Sequence, residues 1–542
     1  AMQFLSLIGL VALLGLAWAM SYHRRRFPMR TVFWGLGLQF VFALIILKED
    51  RWSFIGMVVL AGLLVVYVMQ QDQKRVLPGV PGVAAVLVGA SAVGVAAGLV
   101  APGAIQWLIG IVALVAAVGG RLGVPAPLRH SCAALFVVFG TTWLIVNGVH
   151  GQTIFAAFSQ KAADFLALSD YGARFLFGNL ADGRHYFVGP DSAWPGFGFQ
   201  FAFKVLPTII FFGGFMGVLY YLGVMQVVIE ALARFMKWTV GTSGAETLSC
   251  TANIFVGQTE GPLLIKPFLA EMTRSELLTI MVGGFATIAG GVLAGYIALG
   301  VPAGHLIAAS VMSAPAALVV GKIIYPETQH SATAGDVSLP EIDSGGNVIE
   351  AATNGISDGL KLALNVGAML IGFIALIAVI DSLLGWIDTL IDGRLLDGEY
   401  VAYSVKTMWS PAVGEFRGWF PGSLQTLFGT LFRPLAWLMG VPWSDAGLVG
   451  NLLGIKVSLN EFVAYGALGA YIQDGVLSER GAVISTYALC GFANFSSIGI
   501  QIGGISAVAP TRKSALASLG LKAMFGGAIA SWLTATIAGM LL

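Results

Sequence analysis

The chain alternates between long apolar runs and short polar breaks over most of its 542 residues. A transmembrane helix needs about 20 consecutive apolar residues. In the first 150 residues, runs long enough to span a membrane occur near 3–20, 31–48, 53–70, 81–100, 103–120 and 132–148. Later runs occur near 204–224, 304–324, 358–385, 423–440 and 516–541. The pattern predicts an all-α polytopic membrane protein.

Two apolar segments are interrupted by polar residues. The segment 246–272 contains Glu260 in the sequence Gly257-Gln258-Thr259-Glu260-Gly261-Pro262, and the segment 446–476 contains Glu461. A straight lipid-facing helix does not fit, because a charge at the bilayer centre costs roughly 2.5–3.5 kcal/mol or more. A helical hairpin that enters the membrane and turns back is the favoured interpretation, and an ordinary surface loop is the alternative.

A short phrase then occurs twice. Gly284-Phe285-Ala286-Thr287 lies in the glycine-rich run 276–300, and Gly491-Phe492-Ala493-Asn494 lies in the similar run 482–508. Interrupted segments at corresponding places in two halves of a chain mark the binding site of many transporters. The sequence therefore predicts an inverted-repeat transporter with two re-entrant helical hairpins and two unwound transmembrane helices.

Composition agrees with a membrane location and narrows the functional classes. Hydrophobic residues make up 57% of the chain and charged residues 11%, against about 25% charged in soluble proteins. The formal net charge of +1 gives no reason to expect a nucleic-acid partner. The 71 glycines favour close helix crossings. We expect a multi-pass protein of a cell membrane, with a bacterial inner membrane as the favoured location.

The first repeated phrase is suited to a small cation. Glycine pairs flank Thr287-Ile288, which predicts a helix that unwinds there and frees its carbonyl groups. Carbonyl and hydroxyl oxygens are hard ligands for such an ion. Close packing of an unbroken helix on its glycines is the alternative.

The second repeated phrase is suited to a polar substrate. Asn494 and Ser497 lie three residues apart, and both donate and accept hydrogen bonds. With Glu461 they form a cluster of carboxylate, amide and hydroxyl groups that fits sugar hydroxyls. Hydrogen bonding between helices, with no ligand, is the alternative interpretation.

These motifs together resemble the concentrative nucleoside transporter family. The resemblance covers about 185–542 and rests on six stretches in order: Asn253-Ile254-Phe255-Val256-Gly257-Gln258-Thr259-Glu260, Gly284-Phe285-Ala286-Thr287-Ile288-Ala289-Gly290, Ala308 to Pro315, Tyr325-Pro326-Glu327, Asn460-Glu461-Phe462, and Cys490-Gly491-Phe492-Ala493-Asn494-Phe495-Ser496-Ser497.

The resemblance implies a role for each matching residue. The nucleobase would face Gln258, Thr259 and Glu260, with Val292 packed against it. The ribose would bind Glu461, Asn494 and Ser497, with Phe492 nearby. A sodium ion would take the Asn253 side chain, the Val256 carbonyl, the Thr287 hydroxyl and the Ile288 carbonyl. The family also implies a homotrimer that works as an elevator.

The expected function is cation-coupled symport of nucleosides into the cell. Sodium is the favoured coupling ion, and a proton is the alternative because proton-coupled relatives exist. A passive channel or facilitator for small polar solutes is the second function class. A membrane enzyme with Glu260 and Glu461 as acid and base is the third, and the binding-type neighbours of these carboxylates argue against it.

The chain divides into five predicted regions. Residues 1–150 form N-terminal transmembrane helices, with an apparent four-helix addition at 53–148. Residues 151–240 hold an interfacial helix, an extramembrane loop and scaffold helices. The first transport repeat is 241–325, a polar loop with scaffold helices is 326–440, and the second repeat with the last helix is 441–542.

Overall fold

The computed structural model describes residues 2–70, 102–118, 123–185, 196, 198, 200–333, 345–403 and 410–542. The described chain is mostly helical. The predicted helix at 81–100 lies outside the described residues. The chain divides into two compact units: one consists of 1–36, 159–540 and 542, and the other of 37–158 and 541.

The first helices agree closely with the apolar runs. They are α1 (Met2–Ala19), α2 (Met29–Leu47), α3 (Arg51–Gln70), α4 (Pro102–Val118), α5 (Ala126–Val146) and α6 (Gly151–Ala167). Within the unit 37–158, Val65 of α3 packs with Ala134 and Val138 of α5 in a small apolar core. The same unit is held by a hydrogen bond from the Gly151 N–H to the Ser53 hydroxyl at 3.0 Å.

The larger unit contains the helices that carry the motifs. They are α7 (Ser169–Phe177), α8 (Phe201–Tyr221), α9 (Val224–Val240), α10 (Gly244–Ala252), α11 (Glu260–Leu263), α12 (Arg274–Ala286), α13 (Gly290–Ala298), α14 (Ala303–Ile324), α15 (Val348–Asp388), α16 (Leu424–Leu438), α17 (Ala446–Ser458), α18 (Glu461–Gln473), α19 (Glu479–Leu489), α20 (Phe495–Val508) and α21 (Lys513–Leu541).

Nine helical stretches among the described residues are long and apolar enough to cross a membrane. They are Met2–Ala19, Met29–Leu47, Arg51–Gln70, Ala126–Val146, Phe201–Tyr221, Arg274–Ala298, Ala303–Ile324, Val348–Leu395 and Pro510–Leu541. Most of α14 and α21 is buried inside the protein, whereas little of α15 is. Helices α14 and α21 therefore belong to the buried part of the protein.

Glycines let α8 and α15 approach each other closely. A β-carbon on Gly213 would lie 2.6 Å from the Gly355 carbonyl oxygen, and one on Gly359 would lie 3.0 Å from the Ile209 carbonyl oxygen. Backbone contact of this kind is the usual reason for small residues at helix crossings in membranes. Part of the glycine content is thus explained by packing.

Two details differ from the sequence prediction. The all-α prediction misses a small antiparallel β-hairpin, in which β1 (Tyr400–Ala402) pairs with β2 (Gly414–Phe416). In addition, α15 begins ten residues before the predicted start at 358. The Asn347 side chain accepts a hydrogen bond from the Glu350 N–H and caps the helix. The helix therefore begins with polar turns that precede the apolar run from which its start was predicted.

Each glycine-rich run consists of two helices with a short non-helical stretch between them. Helix α12 ends at Ala286 and α13 begins at Gly290, and we call residues 287–289 the first break. Helix α19 ends at Leu489 and α20 begins at Phe495, and we call residues 490–494 the second break. Each break is paired with a helix–turn–helix: α10–α11 with the first tip (residues 253–259), and α17–α18 with the second tip (residues 459–460).

The repeated phrase does not occupy the same structural position in the two halves. Gly284, Phe285 and Ala286 form the last turn of α12, whereas Gly491, Phe492 and Ala493 are outside any helix. Gly491 has a φ of 102°, which a helix does not allow and which favours glycine. The second break therefore begins before its copy of the phrase, and the first break begins after the Gly-Phe-Ala of its copy.

Candidate functional site

The ends of two helices place Glu461 beside the second break. The Asn460 side chain caps α18 by accepting a hydrogen bond from the Val463 N–H at 2.9 Å, which makes Glu461 the first residue of that helix. Asn494 caps α20 in the same way, since its side-chain oxygen accepts from the Ser497 N–H at 2.9 Å. Capping thus fixes the positions of two predicted ribose ligands.

Glu461 lies buried among neutral donors. Its side chain accepts hydrogen bonds from the Tyr296 hydroxyl at 3.0 Å and from the Asn494 amide at 3.2 Å, and the residue is 4% exposed. In the described part of the chain, no Lys or Arg forms an ion pair with it. A buried carboxylate held only by neutral groups has strong capacity to accept hydrogen bonds from a polar ligand.

The same cluster extends across both repeats. The Gln258 amide of the first tip donates to the Ser497 hydroxyl at 3.3 Å, and the Gln501 amide donates to the Gln258 side-chain oxygen at 3.2 Å. A continuous network of buried polar side chains results, consisting of Tyr296, Glu461, Asn494, Ser497, Gln258 and Gln501. We call it the polar network.

Three further predicted substrate residues border this network. Thr259 packs on α20, where a β-carbon on Gly504 would lie 2.6 Å from its methyl group. Val292 is buried on α13, one turn before Tyr296 and on the same helical face. Phe492 is half-buried within the second break. The residues predicted to bind the ribose and the base, other than Glu260, therefore lie within or next to the polar network.

Glu260 is the exception among the predicted substrate residues. Its carboxylate accepts a hydrogen bond from the N–H of Gly257 at 2.6 Å, within its own tip, and the residue is exposed. It lines a separate cavity of about 410 Å³ together with Tyr220 and Asp358. The structure thus places Glu260 outside the polar network, and a role in base binding would require it to turn away from Gly257.

The predicted ion ligands lie where the first tip packs on the first break. The Gly290 N–H donates to the Phe255 carbonyl at 3.0 Å and joins the two segments. In the amide orientation that satisfies both of its polar atoms, Asn253 donates to the Gly257 carbonyl at 3.1 Å and accepts from the Gly284 N–H at 3.2 Å. The Thr287 hydroxyl donates to the Gly283 carbonyl at 2.8 Å, which leaves its oxygen lone pairs available.

The carbonyl groups of two buried residues at this place have no donor among the described residues. Val256 is 7% exposed and Ile288 is 0% exposed, and no hydrogen bond within the described residues ends on either carbonyl oxygen. Buried carbonyls are normally paired, so these two favour a ligand with positive charge. With the oxygens of Asn253 and Thr287 they would make the neutral, all-oxygen ligand set that the resemblance implies, a kind of set that suits a small hard cation.

Sequence reasoning missed Tyr296 and Gln501 as members of the polar network. Tyr296 was visible as one of the few polar residues of the run 276–300, one turn after Val292. Gln501 lies four residues after Ser497, a spacing that puts both on one helical face. Their partners are 165 and 243 positions away in the chain, so that only the fold reveals the contacts.

Family models match three parts of the chain. The "Na+ dependent nucleoside transporter" N-terminus model matches residues 8–69, the "Nucleoside recognition" gate model 202–303, and the "Na+ dependent nucleoside transporter" C-terminus model 305–539. The first match takes in α3, and residues 70–201 have no match. The four-helix addition predicted at 53–148 stays a prediction.

Similar proteins agree with these matches. Nucleoside permease NupC of Helicobacter pylori is 43% identical over 68% of this chain and 81% of its own length. Sodium/nucleoside cotransporter 2 of Rattus norvegicus is 39% identical over 74% of this chain and 57% of its own length. The solved structure of CNTnw in an inward-facing substrate-bound state has 32% identity and a TM-score of 0.69, and covers 100% of this chain and 98% of that one.

Variants of CNTnw solved in an outward-facing state and in an intermediate state are equally similar to this chain, each with a TM-score of 0.69. Helical architecture, motifs, matched models and relatives all agree, and the family is one of transporters rather than enzymes. The chain is a multi-pass membrane protein that belongs to the family of Na+-dependent, or concentrative, nucleoside transporters.

Proposed function

We propose that this protein is a cation-coupled symporter that carries nucleosides into the cell, with sodium as the coupling ion and a proton as the alternative. The polar network is the observation that carries the proposal. It joins Glu461, Asn494 and Ser497 of the second repeat to Gln258 of the first, within a family whose members transport nucleosides.

In this proposal the polar network exchanges internal hydrogen bonds for bonds to the substrate. The ribose hydroxyls donate to Glu461 and meet the amide of Asn494 and the hydroxyl of Ser497. The base lies against Gln258 and Thr259, with the apolar surfaces of Val292 and Phe492 beside it. A charge-assisted hydrogen bond is about twice as strong as a neutral one, so Glu461 contributes most to affinity.

The coupling ion would be held by the side chains of Asn253 and Thr287 and by the carbonyls of Val256 and Ile288. The bound ion supplies positive charge at the C-terminal end of α12, where the helix dipole is negative. Sodium is favoured because all four of these ligands are neutral oxygen atoms. A proton would need a titrating group, and Glu461 is then the candidate.

Contacts between the two breaks support coupling of ion and substrate. A β-carbon on Gly491 would lie 2.7 Å from the Ala286 carbonyl oxygen, at the end of α12. The Gln501 amide donates to the Met281 carbonyl at 3.2 Å, and Gly284 packs against both Gln501 and Gln258. Because α12 contacts both sites, ordering the first break favours the substrate-binding arrangement, and the linkage is reciprocal.

Helix lengths support two re-entrant hairpins. Helix α10 has 9 residues and α17 has 13, which at 1.5 Å per residue corresponds to about 14 Å and about 20 Å, against a hydrocarbon core of about 30 Å. Neither helix is long enough to span the core. We infer that α10–α11 and α17–α18 enter the membrane and return, as the two halves of an inverted repeat.

Alternating access by an elevator movement and a homotrimeric assembly complete the proposal. The similarity of this chain to CNTnw in inward-facing, intermediate and outward-facing states supports the movement. The homotrimer follows from family membership, and cross-linking in native membranes is its direct test.

Uptake by proteoliposomes tests the proposal. Labelled uridine and adenosine are offered under a sodium gradient, under a proton gradient at several pH values, and with choline in place of sodium. Uphill uptake that needs sodium is expected, and the Glu461→Gln variant should lose it. Glu230→Gln is the matched control, because Glu230 lies on the partly exposed face of α9 and pairs with Arg234. Equal, gradient-independent equilibration would instead identify a passive facilitator.

A further inference from the structure

A buried lysine lies at the second break. Lys456 is 0% exposed, and its ammonium group donates to the carbonyl of Ala488 at 3.0 Å and to the carbonyl of Cys490 at 2.8 Å. Both carbonyls belong to the C-terminal end of α19. The last carbonyls of a helix have no partner within the helix, and the dipole makes that end attractive to positive charge.

This arrangement parallels the first break. There the C-terminal end of α12 meets the end of α10, and the carbonyl oxygens of the buried residues Val256 and Ile288 have no donor among the described residues. In the second repeat the C-terminal end of α19 meets the end of α17, and the carbonyl oxygens are bound by an ammonium group from α17. The C-terminal end of α19 in the second repeat is therefore bound by a fixed positive charge, whereas the carbonyls at the end of α12 in the first repeat are not.

Lys456 is also connected to the substrate residues. It lies five residues before Glu461, on the other side of the second tip. The carbonyl of Cys490 that it holds comes directly before Gly491, and the second break then leads to Asn494. Fixing the start of the break therefore fixes the amide that donates to Glu461.

We propose that Lys456 is a tethered cation: its ammonium group takes, in the second repeat, the place that the mobile coupling ion takes in the first, and so positions the second break for substrate. Lys456 is a positioning residue, since it acts through Cys490 and Asn494. The proposal rests on the proposed function for its ion site in the first repeat. It implies that the substrate half of the site is assembled permanently, whereas the ion half is assembled only when the ion is bound.

Chemical rescue in the purified full-length protein tests the proposal. Uridine and adenosine binding is measured by calorimetry at saturating sodium for Lys456→Met and Lys456→Ala. Loss of a hydrogen-bonded charge predicts binding that is weaker by roughly 10- to 100-fold in both variants. In Lys456→Ala, methylammonium should restore part of the lost affinity, because it supplies the missing ammonium group, whereas the bulkier choline should not. Wild-type affinity in either variant, or no difference between methylammonium and choline, overturns the proposal.

Two controls separate a positioning charge from a merely structural contact. Ser531 also donates its hydroxyl to the Cys490 carbonyl, so Ser531→Ala removes a donor from the same oxygen but leaves the charge. It should change affinity by less than roughly 10-fold, and a loss as large as that of Lys456→Met contradicts the proposal. Lys522→Met is the matched lysine control, because Lys522 donates to the Met20 carbonyl at 3.0 Å, outside both breaks, and it should bind as the wild type does.

The result remains decisive if a variant is unstable. The melting temperature of Lys456→Ala is then measured in methylammonium and in choline: a rise in methylammonium alone supports the tethered cation, and equal melting overturns it. The wild-type sodium titration in the same series tests the proposed function separately. If wild-type binding does not depend on sodium, the sodium coupling fails, while the methylammonium result still decides the role of Lys456.

Discussion

The first and second breaks are built from similar segments but differ in what satisfies their carbonyl groups. At the first break, the carbonyl of Ile288 and that of Val256 in the adjoining first tip accept no hydrogen bond from the described residues. In the second break, the carbonyl of Cys490 accepts from Lys456 and from Ser531. The two carbonyls beside the first break thus have no donor among the described residues, whereas the carbonyl that begins the second break has two.

This difference teaches how a duplicated scaffold divides two tasks. A site that must depend on an ion leaves its oxygens free, because only then does ion binding contribute differential free energy. A site that must present hydrogen-bonding groups to a substrate is better held in place beforehand. The polar network is of this preformed kind, because the caps Asn460 and Asn494 hold its helices in place.

The largest expected effect comes from breaking the contact between the two breaks. Gly491→Ala places a β-carbon at a φ of 102° and 2.7 Å from the Ala286 carbonyl oxygen. Strain of roughly 1–3 kcal/mol adds to overpacking of roughly 1–3 kcal/mol. We expect loss of uptake and a lower melting temperature. Gly499→Ala is the control, since nothing lies within 4 Å of its added β-carbon; similar behaviour of the two variants would contradict the tight contact.

The next effect concerns the second break alone. Glu461→Gln keeps the size of the side chain but removes the charge that accepts from Tyr296 and Asn494. Nucleoside affinity should fall by roughly 10- to 100-fold, while the sodium concentration at half-maximal effect stays close to that of the wild type. Calorimetry on the purified variant gives both values. Unchanged nucleoside affinity would remove Glu461 from the site.

A smaller effect is expected at the first break. Thr287→Val removes the hydroxyl that we assign to the ion, and the sodium concentration at half-maximal effect should rise by roughly 10-fold. Thr279→Val is a close control, since the Thr279 hydroxyl also donates to a carbonyl four residues earlier, at 2.9 Å, in the same helix. If the two variants shift the sodium midpoint equally, the effect comes from the helix and not from the ion site.

The smallest effect is expected where the two halves of the site join. Gln501→Leu removes a donor to Gln258, but it also removes a buried side-chain oxygen that has no hydrogen-bond partner. The loss of the hydrogen bond and the removal of the unpaired oxygen partly offset each other, and a neutral hydrogen bond contributes about 0.5–1.5 kcal/mol. Adenosine and uridine affinity should each fall by no more than roughly 10-fold. A complete loss would show that Gln501 contacts the substrate itself.

Sequence patterns predicted the spans and much of the polar network. Long apolar runs define helices because a bilayer leaves few alternatives. The sequence also identified Glu461, Asn494 and Ser497, because polar side chains inside apolar membrane segments are costly and usually have a function. The early start of α15 and the hairpin of β1 and β2 were missed, since capping and local strand pairing outside the apolar stretch leave little trace in hydropathy.

Contacts across the fold account for what the sequence could not reveal. The bond between Tyr296 and Glu461 joins different repeats, and Lys456 resembles any lysine near a helix end until the fold brings it to the Cys490 carbonyl. The position of Glu260 depends on whether its carboxylate bonds to the Gly257 N–H or faces the substrate, which spacing does not decide. The shift between the two copies of the phrase follows from the φ of one glycine, Gly491.

The most direct test of the division between the breaks is one matched titration. Nucleoside affinity is measured as a function of sodium concentration in the wild type, Thr287→Val and Glu461→Gln. We expect Thr287→Val to shift the sodium midpoint and to reach wild-type affinity at saturating sodium, whereas Glu461→Gln should keep the midpoint and have lower affinity throughout. If both variants change both quantities alike, the two breaks do not have separate roles.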